Sequence, residues 1–300
     1  MDERQLEIFA AVAEESSFSR AARRLFAAQS TVSAAVRSLE QELGAKLFER
    51  STRSVELTPF GESVLGDARA ALEAMERIRA RASPGAEGLR GRVRLGIFSN
   101  LEYLDLPELL GRFHREHPLV NLRLVVSSAG STGLVDDLRH SRLDVALVGL
   151  PPQDLGGLDV APLGEAEFVA VLPAGHPLAS RRSVKLAELA GESFVDTPPG
   201  FGNRVVVDRA FERLGKPRTV VAEVPELPAV PLYVAEGLGI AVVPLITTVS
   251  GARLVTVPLK DGPVWTLSAV ARPQHNAAAA ALLELLTTHR GSTEPQATLR

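Results

Sequence analysis

Side chains that can contact nucleic acid are concentrated in one short segment of the sequence. Ser30, Ala34 and Arg37 are four and three residues apart, which places them on one face of a helix. Hydroxyl groups contact phosphates or base edges, and an arginine can bind a guanine through two hydrogen bonds. Gln29 and Thr31 lie at the start of the same helix, where free backbone N–H groups favour a phosphate. The pattern predicts a helix that enters the major groove of DNA, and a solvated face on a small helical unit is the alternative.

Three later loops, each following a predicted strand, are rich in hydroxyl groups or glycine. Their candidate ligand-binding residues are Ser99, Asn100, Ser131, Thr132, Thr197 and Gly200, with Arg204 as a charge partner. In open parallel sheets, ligands bind beyond the carboxyl ends of the strands, where helix N-termini supply free N–H groups. These loops predict a receptor for a carboxylate or another anion, and helix capping with turn formation is the alternative.

Motifs of catalytic and metal sites are missing from the sequence. There is no nucleophile elbow of the G-x-S-x-G type, no phosphate-binding P-loop and no complete G-x-G-x-x-G fingerprint. The absence of cysteine excludes disulfides, thiolate metal sites and cysteine catalysis. His114 and His117 could share a helical face, but the sequence suggests no third metal ligand. We therefore expect no catalytic residue, no metal and no cofactor other than a small-molecule effector.

The apolar residues behind the polar face predict a helix-turn-helix. Apolar positions four, three and four residues apart define a core-facing side. They are Val32, Val36, Leu39 and Leu43. A first helix would support this one, and a short second helix would carry Arg20 toward the phosphates.

The segment after the groove-facing helix predicts a wing. It is rich in valine, leucine, phenylalanine and threonine and could form a short hairpin that carries Arg50 and Arg53. These arginines would contact phosphates or the minor groove, which anchors a protein without reading the sequence directly. Ordinary solvated arginines are the alternative.

A long helix is predicted after the wing. Thr58 and Pro59 form a helix start, since threonine suits the N-cap and proline the first helical position. The apolar residues that follow are four, three, four and three residues apart, as in a heptad seam. They are Val64, Ala68, Ala71, Met75 and Ile78. This seam predicts dimerisation through a coiled coil, and packing against the chain's own second domain is the alternative.

The N-terminal segments together resemble a known family. SFSRAARRL, QSTVSAAVRSLEQELGAKLFER and LTPFGE are similar to the DNA-binding domain of LysR-type transcriptional regulators, and LDVALVG and VAEGLGIAVVP give looser support farther along. The resemblance implies a bacterial transcription factor, with effector contacts at positions matching Ser99 and Asn100 and around Ser131. Ala34 and Ala35 stand where many relatives carry arginine or glutamine. Base readout would then depend more on the following residues: Gln29, Ser30, Thr31, Ser33 and Arg37.

Beyond the long helix, alternating strands and helices predict βαβ units in two lobes. The expected fold is α/β overall, with a winged helix-turn-helix, a linker helix and a two-lobed sensor domain like the periplasmic binding proteins. The predicted boundaries are 1–58 for the DNA-binding domain, 59–82 for the linker, 83–92 for a hinge and 93–290 for the effector-binding domain. Lobe I takes about 93–162 plus 266–290 and lobe II about 163–265, before a disordered tail at 291–300.

Charge and composition leave the partners to be inferred from these motifs. The net charge of −3 gives no hint of nucleic acid, although residues 16–59 contain seven basic and four acidic residues. We expect as partners a dyad-symmetric DNA duplex, a second copy in a dimer or tetramer, and RNA polymerase as a further candidate. Without a signal-like N-terminus or a membrane-spanning apolar stretch, a cytoplasmic protein with no membrane contact is expected. A ligand-binding module whose N-terminal helices only assemble subunits is the rival hypothesis, and an enzyme built on the two lobes is the third.

Overall fold

The computed structural model describes residues 1–50, 55–82, 88–98, 104–246 and 251–288. The chain divides into two compact units, which are described separately: residues 1–87 with 139–142, and residues 88–138 with 143–300. Arg53, Ser99 and Asn100 lie outside the described residues, as do residues 83–87 of the predicted hinge and the whole of the predicted tail.

The first unit contains three helices, a hairpin and a long helix. They are α1 (Glu3–Glu15), α2 (Phe18–Arg24), α3 (Gln29–Leu43), β1 (Phe48–Arg50), β2 (Val55–Leu57) and α4 (Pro59–Ala82). Asp2 caps α1 in a capping box, and Gly44 ends α3 in the left-handed conformation that glycine adopts without strain. The antiparallel pair β1–β2 follows α3 as a wing. The predicted helix-turn-helix, wing and linker helix are therefore present.

The core of this unit lies behind α3. Val32, Val36 and Leu39 are fully buried, as their spacing predicts. Phe48 of β1 packs edge-on against Phe9 and also against Phe18, with ring centroids 5.5 and 5.7 Å apart. These rings and the three buried side chains of α3 belong to one core, so α3 packs by this side and its opposite face is left for a partner.

The linker helix α4 divides its predicted seam between two environments. Ala68 is only 3% exposed and belongs to the core of its own unit, and Val64 and Ala71 pack against that core. Ile78 is 67% exposed and Met75 is half-buried. Ala68 is therefore enclosed by its own chain, and Met75 and Ile78 are the seam residues that a second subunit could reach.

The second unit is an α/β domain. Its first part contains β3 (Gly91–Ile97), α5 (Leu106–Glu116), β4 (Val120–Val126), α6 (Gly130–Arg139), β5 (Val145–Val148) and β6 (Asp159–Pro173). Its second part contains β7 (Ser193–Asp196), α7 (Gly202–Arg213), β8 (Thr219–Glu223), α8 (Val230–Ala235), β9 (Ala241–Pro244), β10 (Leu254–Pro258), β11 (Val264–Ala271) and α9 (Ala277–Thr288).

Two lobes are joined by the long strands β6 and β11. The sheet order is β10-β6-β11-β5-β3-β4, with β9 also paired to β6. Lobe I holds β3, which is parallel to β4 and β5, and lobe II holds the parallel pair β7–β8. β6 pairs first with β11 and then with β9 and β10, and the β6–β11 ladder has a register shift between Leu267 and Ser268. The parallel units match the prediction, whereas antiparallel β6 and β11 make the main sheet mixed. The end of β11 returns to lobe I beside β5, and α9 packs on β3, β6 and β11.

Candidate functional sites: the face of α3 and the interlobe cleft

The exposed face of α3 carries the residues predicted to contact DNA. Gln29, Ser30, Thr31, Ala34 and Arg37 are exposed, and Ser33 is half-buried. This arrangement follows from the burial of the apolar residues on the opposite side of the helix. The geometry provides a narrow face of small and hydrogen-bonding side chains that ends in one arginine.

The start of α3 also provides free backbone donors. Its N-cap residue is Ala28, whose methyl group cannot accept a hydrogen bond from the first turn. The N–H groups of Gln29 and Ser30 have no acceptor within the part of the chain that the structure describes. Together with the positive end of the helix dipole, these N–H groups form a site that suits a phosphate.

The arginines of α2 differ in their surroundings. The Arg20 guanidinium donates to the Glu15 carbonyl oxygen, with 3.0 Å from Nε, and remains half exposed. Arg24 pairs with Glu14 at 2.6 Å, and although burial lowers the pKa of Arg24, the hydrogen bonds and charges of Glu14 and Glu15 raise it above its ordinary value overall. Arg23 is exposed, and its guanidinium has no partner among the described residues. Arg23 is therefore better placed than Arg24 to contact a phosphate. The sequence alone did not distinguish the two, because the ion pairs of Arg24 are made with residues of another helix.

The first strand of the wing ends at Arg50. Arg50 pairs with Val55 across the β1–β2 hairpin. The side chain of Arg50 and the whole of Arg53 fall outside the described residues, so their predicted phosphate contacts stay predictions.

The second site is a cleft between the two lobes of the sensor unit. The helices α6 and α7 both begin at this cleft, one from each lobe. Its lining residues are Phe98, Ser131, Gly149, Phe201, Gly202, Asn203, Pro225, Leu227 and Trp265. The cavity measures about 30 Å³, which is room for about two water molecules. The cavity itself is therefore too small for a typical metabolite.

Close backbone contacts join the two lobes beside the cavity. A Cβ atom at Gly202 would lie 2.3 Å from the carbonyl oxygen of Gly149 in the other lobe, and one at Gly130 would lie 2.8 Å from Phe201. The Thr132 N–H donates to the Gly200 carbonyl oxygen across the lobes at 3.0 Å. Only glycine allows the two backbones to approach this closely.

The predicted effector residues occupy different positions around the cleft. Ser131 is buried and lines the cavity, with its Oγ accepting from the Gly149 N–H at 3.1 Å. The side chain of Thr132 is exposed, although its backbone makes the contact between the lobes. The side chain of Thr197 is fully buried and bonds to Asp196 and Asn203. Ser131 is thus the described member of the predicted set whose side chain faces the cavity.

Gly200 and Arg204 shape the loop instead of lining the cavity. Gly200 has a φ of +91°, which a glycine tolerates. The Arg204 guanidinium donates to Asp208 at 2.7 Å and to the Thr197 carbonyl oxygen at 2.9 Å, and it also lies 3.5 Å from Glu223. These partners engage its charge within lobe II.

A buried ionic network that the sequence did not reveal supports the same loop. Arg218 contacts both Asp196 and Asp208 at 2.6 Å and lies over the ring of Phe194. Burial raises the pKa of the Asp196 carboxyl, and the charge and hydrogen bond of Arg218 oppose that rise. Asn203 donates to Asp196 at 3.0 Å. The network ties the end of β7 to the start of α7, and its members are too far apart in sequence for spacing to signal them.

Some classes of site find no support in the described part of the molecule. No group of three or more histidine, cysteine, aspartate or glutamate side chains among these residues could hold a metal ion. Across the same ranges, no helix has the length and apolar character needed to cross a bilayer.

A winged helix-turn-helix followed by a two-lobed α/β unit with a cleft defines the class of ligand-sensing DNA-binding regulators. Two family models match the chain: the bacterial regulatory helix-turn-helix of the lysR family over residues 3–62, and the LysR substrate binding domain over residues 86–291. The chain belongs to the LysR family. It is a DNA-binding transcriptional regulator and not an enzyme, as the sequence predicts.

Individual relatives agree with this membership. The RuBisCO operon transcriptional regulator of Allochromatium vinosum is 35% identical over 267 residues, 87% of this chain and 86% of that protein. A probable hydrogen peroxide-inducible genes activator of Mycobacterium xenopi is 41% identical over 60% of this chain and 93% of that protein. Among solved structures, a full-length cysteine-to-aspartate variant of OxyR from Pseudomonas aeruginosa has a TM-score of 0.77 at 28% identity, covering 97% of this chain and 94% of that one.

Proposed function

We propose that this regulator binds a dyad-symmetric promoter site as a homodimer, reading bases through the exposed face of α3. The observation that supports this most directly is the combination of five exposed positions, from Gln29 to Arg37, with two N–H groups that have no acceptor among the described residues. The side chains would contact base edges, while the N–H groups and Arg23 would contact phosphates. In this proposal Arg20, Arg50 and Arg53 are further phosphate contacts.

The dimer would form through the part of α4 that its own core leaves uncovered. Ile78 is the most exposed described apolar residue of the predicted seam, and Met75 lies one helical turn before it. Dimerisation places two recognition helices on half-sites about one DNA turn apart, or a multiple of that. Assembly into a tetramer and contact with RNA polymerase are extensions of the same proposal, which has the regulator act in the cytoplasm.

A small-molecule effector would bind in the interlobe cleft. The N–H groups of Ser131, Gly202 and Asn203 have no acceptor in the described chain, and these residues line the cavity at the starts of α6 and α7. They support a carboxylate or another hydrogen-bond acceptor on the effector. Binding would change the arrangement of the lobes only if the effector favours one arrangement over the other.

A ligand is favoured over a redox signal because of the composition. One relative carries a name that refers to hydrogen peroxide, and one solved relative is a cysteine variant. The 300 residues of this chain contain no cysteine. A response that begins with oxidation of a thiol is therefore not available to it.

The test begins with selection of random genomic fragments by the full-length protein. Fluorescence anisotropy on the recovered duplex then measures affinity over a salt series. A dyad-symmetric site whose affinity falls with salt is the expected result. Enrichment of no site at low salt, with and without a library of metabolites, would contradict the proposal and favour a module whose helices only assemble subunits.

The same protein allows the effector to be sought directly. Trp265 is the only tryptophan of the chain, and it lines the cleft. We expect an effector to change the tryptophan emission with a saturable dose dependence and to shift operator affinity over the same concentrations. An emission change without any shift in operator affinity would contradict the assignment of the molecule as an effector.

A further inference from the structure

The turn between α2 and α3 presents a phenylalanine to solvent. Phe26 is 99% exposed, and its φ of +51° lies in the left-handed region that bulky residues rarely adopt. The turn is held on both sides, since the Phe26 N–H donates to the Arg23 carbonyl oxygen at 3.2 Å and the Ala27 N–H donates to that of Ala22 at 2.9 Å. An ordered turn therefore carries the ring out of the domain.

Neither the turn nor the packing explains a phenylalanine at this position. Glycine or asparagine adopts a left-handed conformation at lower cost, and a ring in water forgoes the free energy of burial. Ile78 and Met1, the next most exposed large apolar residues described in this unit, are 67% and 64% exposed. Residues held in unfavourable conformations cluster at binding sites, so the ring points to a contact outside its own fold.

The position of Phe26 identifies the surface to which it belongs. It precedes Gln29 by three residues, at the end of α3 that enters the major groove in a helix-turn-helix. Gln29 and Ser30, three and four residues later, are exposed as well, so the turn places the ring next to the start of the predicted DNA-contacting face. The apolar group that a major groove displays is the C5-methyl group of thymine, and phenylalanine is among the side chains that contact it.

We propose that Phe26 is a specificity-determining residue whose ring packs against the C5-methyl group of one thymine in each half-site. The proposal rests on DNA binding through α3. The contact neutralises no phosphate, so it would add affinity at one base pair without changing the dependence of binding on salt.

The experiment removes the methyl group from the DNA and the ring from the protein. Each thymine of the selected operator is replaced in turn by deoxyuracil, which lacks only the C5-methyl group. We expect one position in each half-site to lower the affinity of the full-length protein about four-fold, the effect of burying one methyl group. Phe26→Ala should bind the unmodified operator about five- to ten-fold more weakly and lose nothing further at that thymine.

Two control variants separate the ring from the backbone. Phe26→Asn removes the ring but suits the left-handed conformation, so it should match Phe26→Ala in DNA binding while keeping the thermal stability of the wild-type protein. Arg37→Ala should weaken binding yet keep the full penalty for deoxyuracil, because independent contacts add.

The outcomes distinguish this proposal from the function on which it rests. If the wild-type protein selects no operator, DNA binding itself fails. If it binds but no deoxyuracil lowers its affinity, or if Phe26→Ala keeps the wild-type penalty, the thymine contact is refuted. If Phe26→Ala binds the operator more weakly but loses as much affinity at deoxyuracil as the wild type does, the ring would be assigned to a contact with protein instead.

Discussion

We expect the polar face of α3 to contribute unequally to DNA binding, because its residues differ in the number and strength of the hydrogen bonds they can make. Ser30, Thr31 and Ser33 offer single hydroxyl groups, and Ala34 offers a methyl group. Arg37 is exposed and can donate two parallel hydrogen bonds to a guanine. Arg37 should therefore carry the largest share of direct readout on this face.

Replacing Arg37 by alanine should weaken operator binding by about 1–3 kcal/mol, or about 5- to 150-fold, and relax the preference at one base pair. The measurement is anisotropy on the selected operator and on single base-pair variants. Arg182→Ala, which removes an exposed arginine from the sensor unit, is the matched control and should leave affinity unchanged. Equal affinity of Arg37→Ala and wild type would show that α3 is oriented differently on DNA.

Arg218 joins Asp196 and Asp208 beneath the loop that follows β7. Replacing it by methionine removes the ion-pair partner of the buried Asp196, so we expect a loss of about 3–5 kcal/mol in the free energy of unfolding. Urea unfolding followed by Trp265 emission reports on this unit. Arg253→Ala breaks the exposed pair with Glu236 and serves as the control, with little change expected. A small effect at Arg218 would mean that the network contributes little to stability.

The elements around each site show how far sequence reasoning reaches. The face of α3 was predictable because burial of Val32, Val36 and Leu39 fixes the opposite side by helical geometry alone. The cleft residues were less predictable. The hydroxyl of Thr197 is hydrogen-bonded to Asp196 and Asn203, and Arg204 is paired with carboxylates of lobe II. Residue type indicated a binding site at the cleft, but which side chains are free to contact an effector depends on their neighbours in the folded structure.

The starts of α6 and α7 meet in a close backbone contact between the lobes. Gly202→Ala places a methyl group against the Gly149 carbonyl oxygen without backbone strain, because Gly202 has no left-handed φ. We expect the lobes to separate, with a shifted Trp265 emission and a loss of about 1–3 kcal/mol of stability. Gly175→Ala, where a Cβ atom meets nothing within 4 Å, should change neither quantity. Identical Trp265 emission spectra for the two variants would show that the methyl group is accommodated at the contact without movement of the lobes.

Our proposal assigns the dimer contact to the exposed Ile78 of α4. Ile78→Asp should raise the dimer dissociation constant at least about ten-fold, since a charge would be buried at an apolar seam. Sedimentation equilibrium measures this constant, and Ile78→Leu should preserve it. An unchanged dissociation constant for Ile78→Asp would show that the dimer forms through another surface.

At the scale of the whole molecule, the absence of cysteine separates this regulator from a thiol-based sensor. Hydrogen peroxide at concentrations that oxidise reactive thiols should change operator affinity by less than about two-fold. Anisotropy before and after treatment measures this, and mass spectrometry checks that Met75 and the other methionine stay unoxidised. A larger change with intact methionines would contradict a purely ligand-based response.

The strands β6 and β11 connect the two lobes, and the register shift at Leu267 and Ser268 lies where β11 crosses between them. A bulge of this kind increases local twist and lets a strand bend while the hydrogen bonds on either side persist. Because both connections belong to one ladder, the lobes could turn about it but could not slide apart. An effector between the lobes would therefore rotate one lobe about the β6–β11 ladder, and the size of the effector would set the angle of rotation.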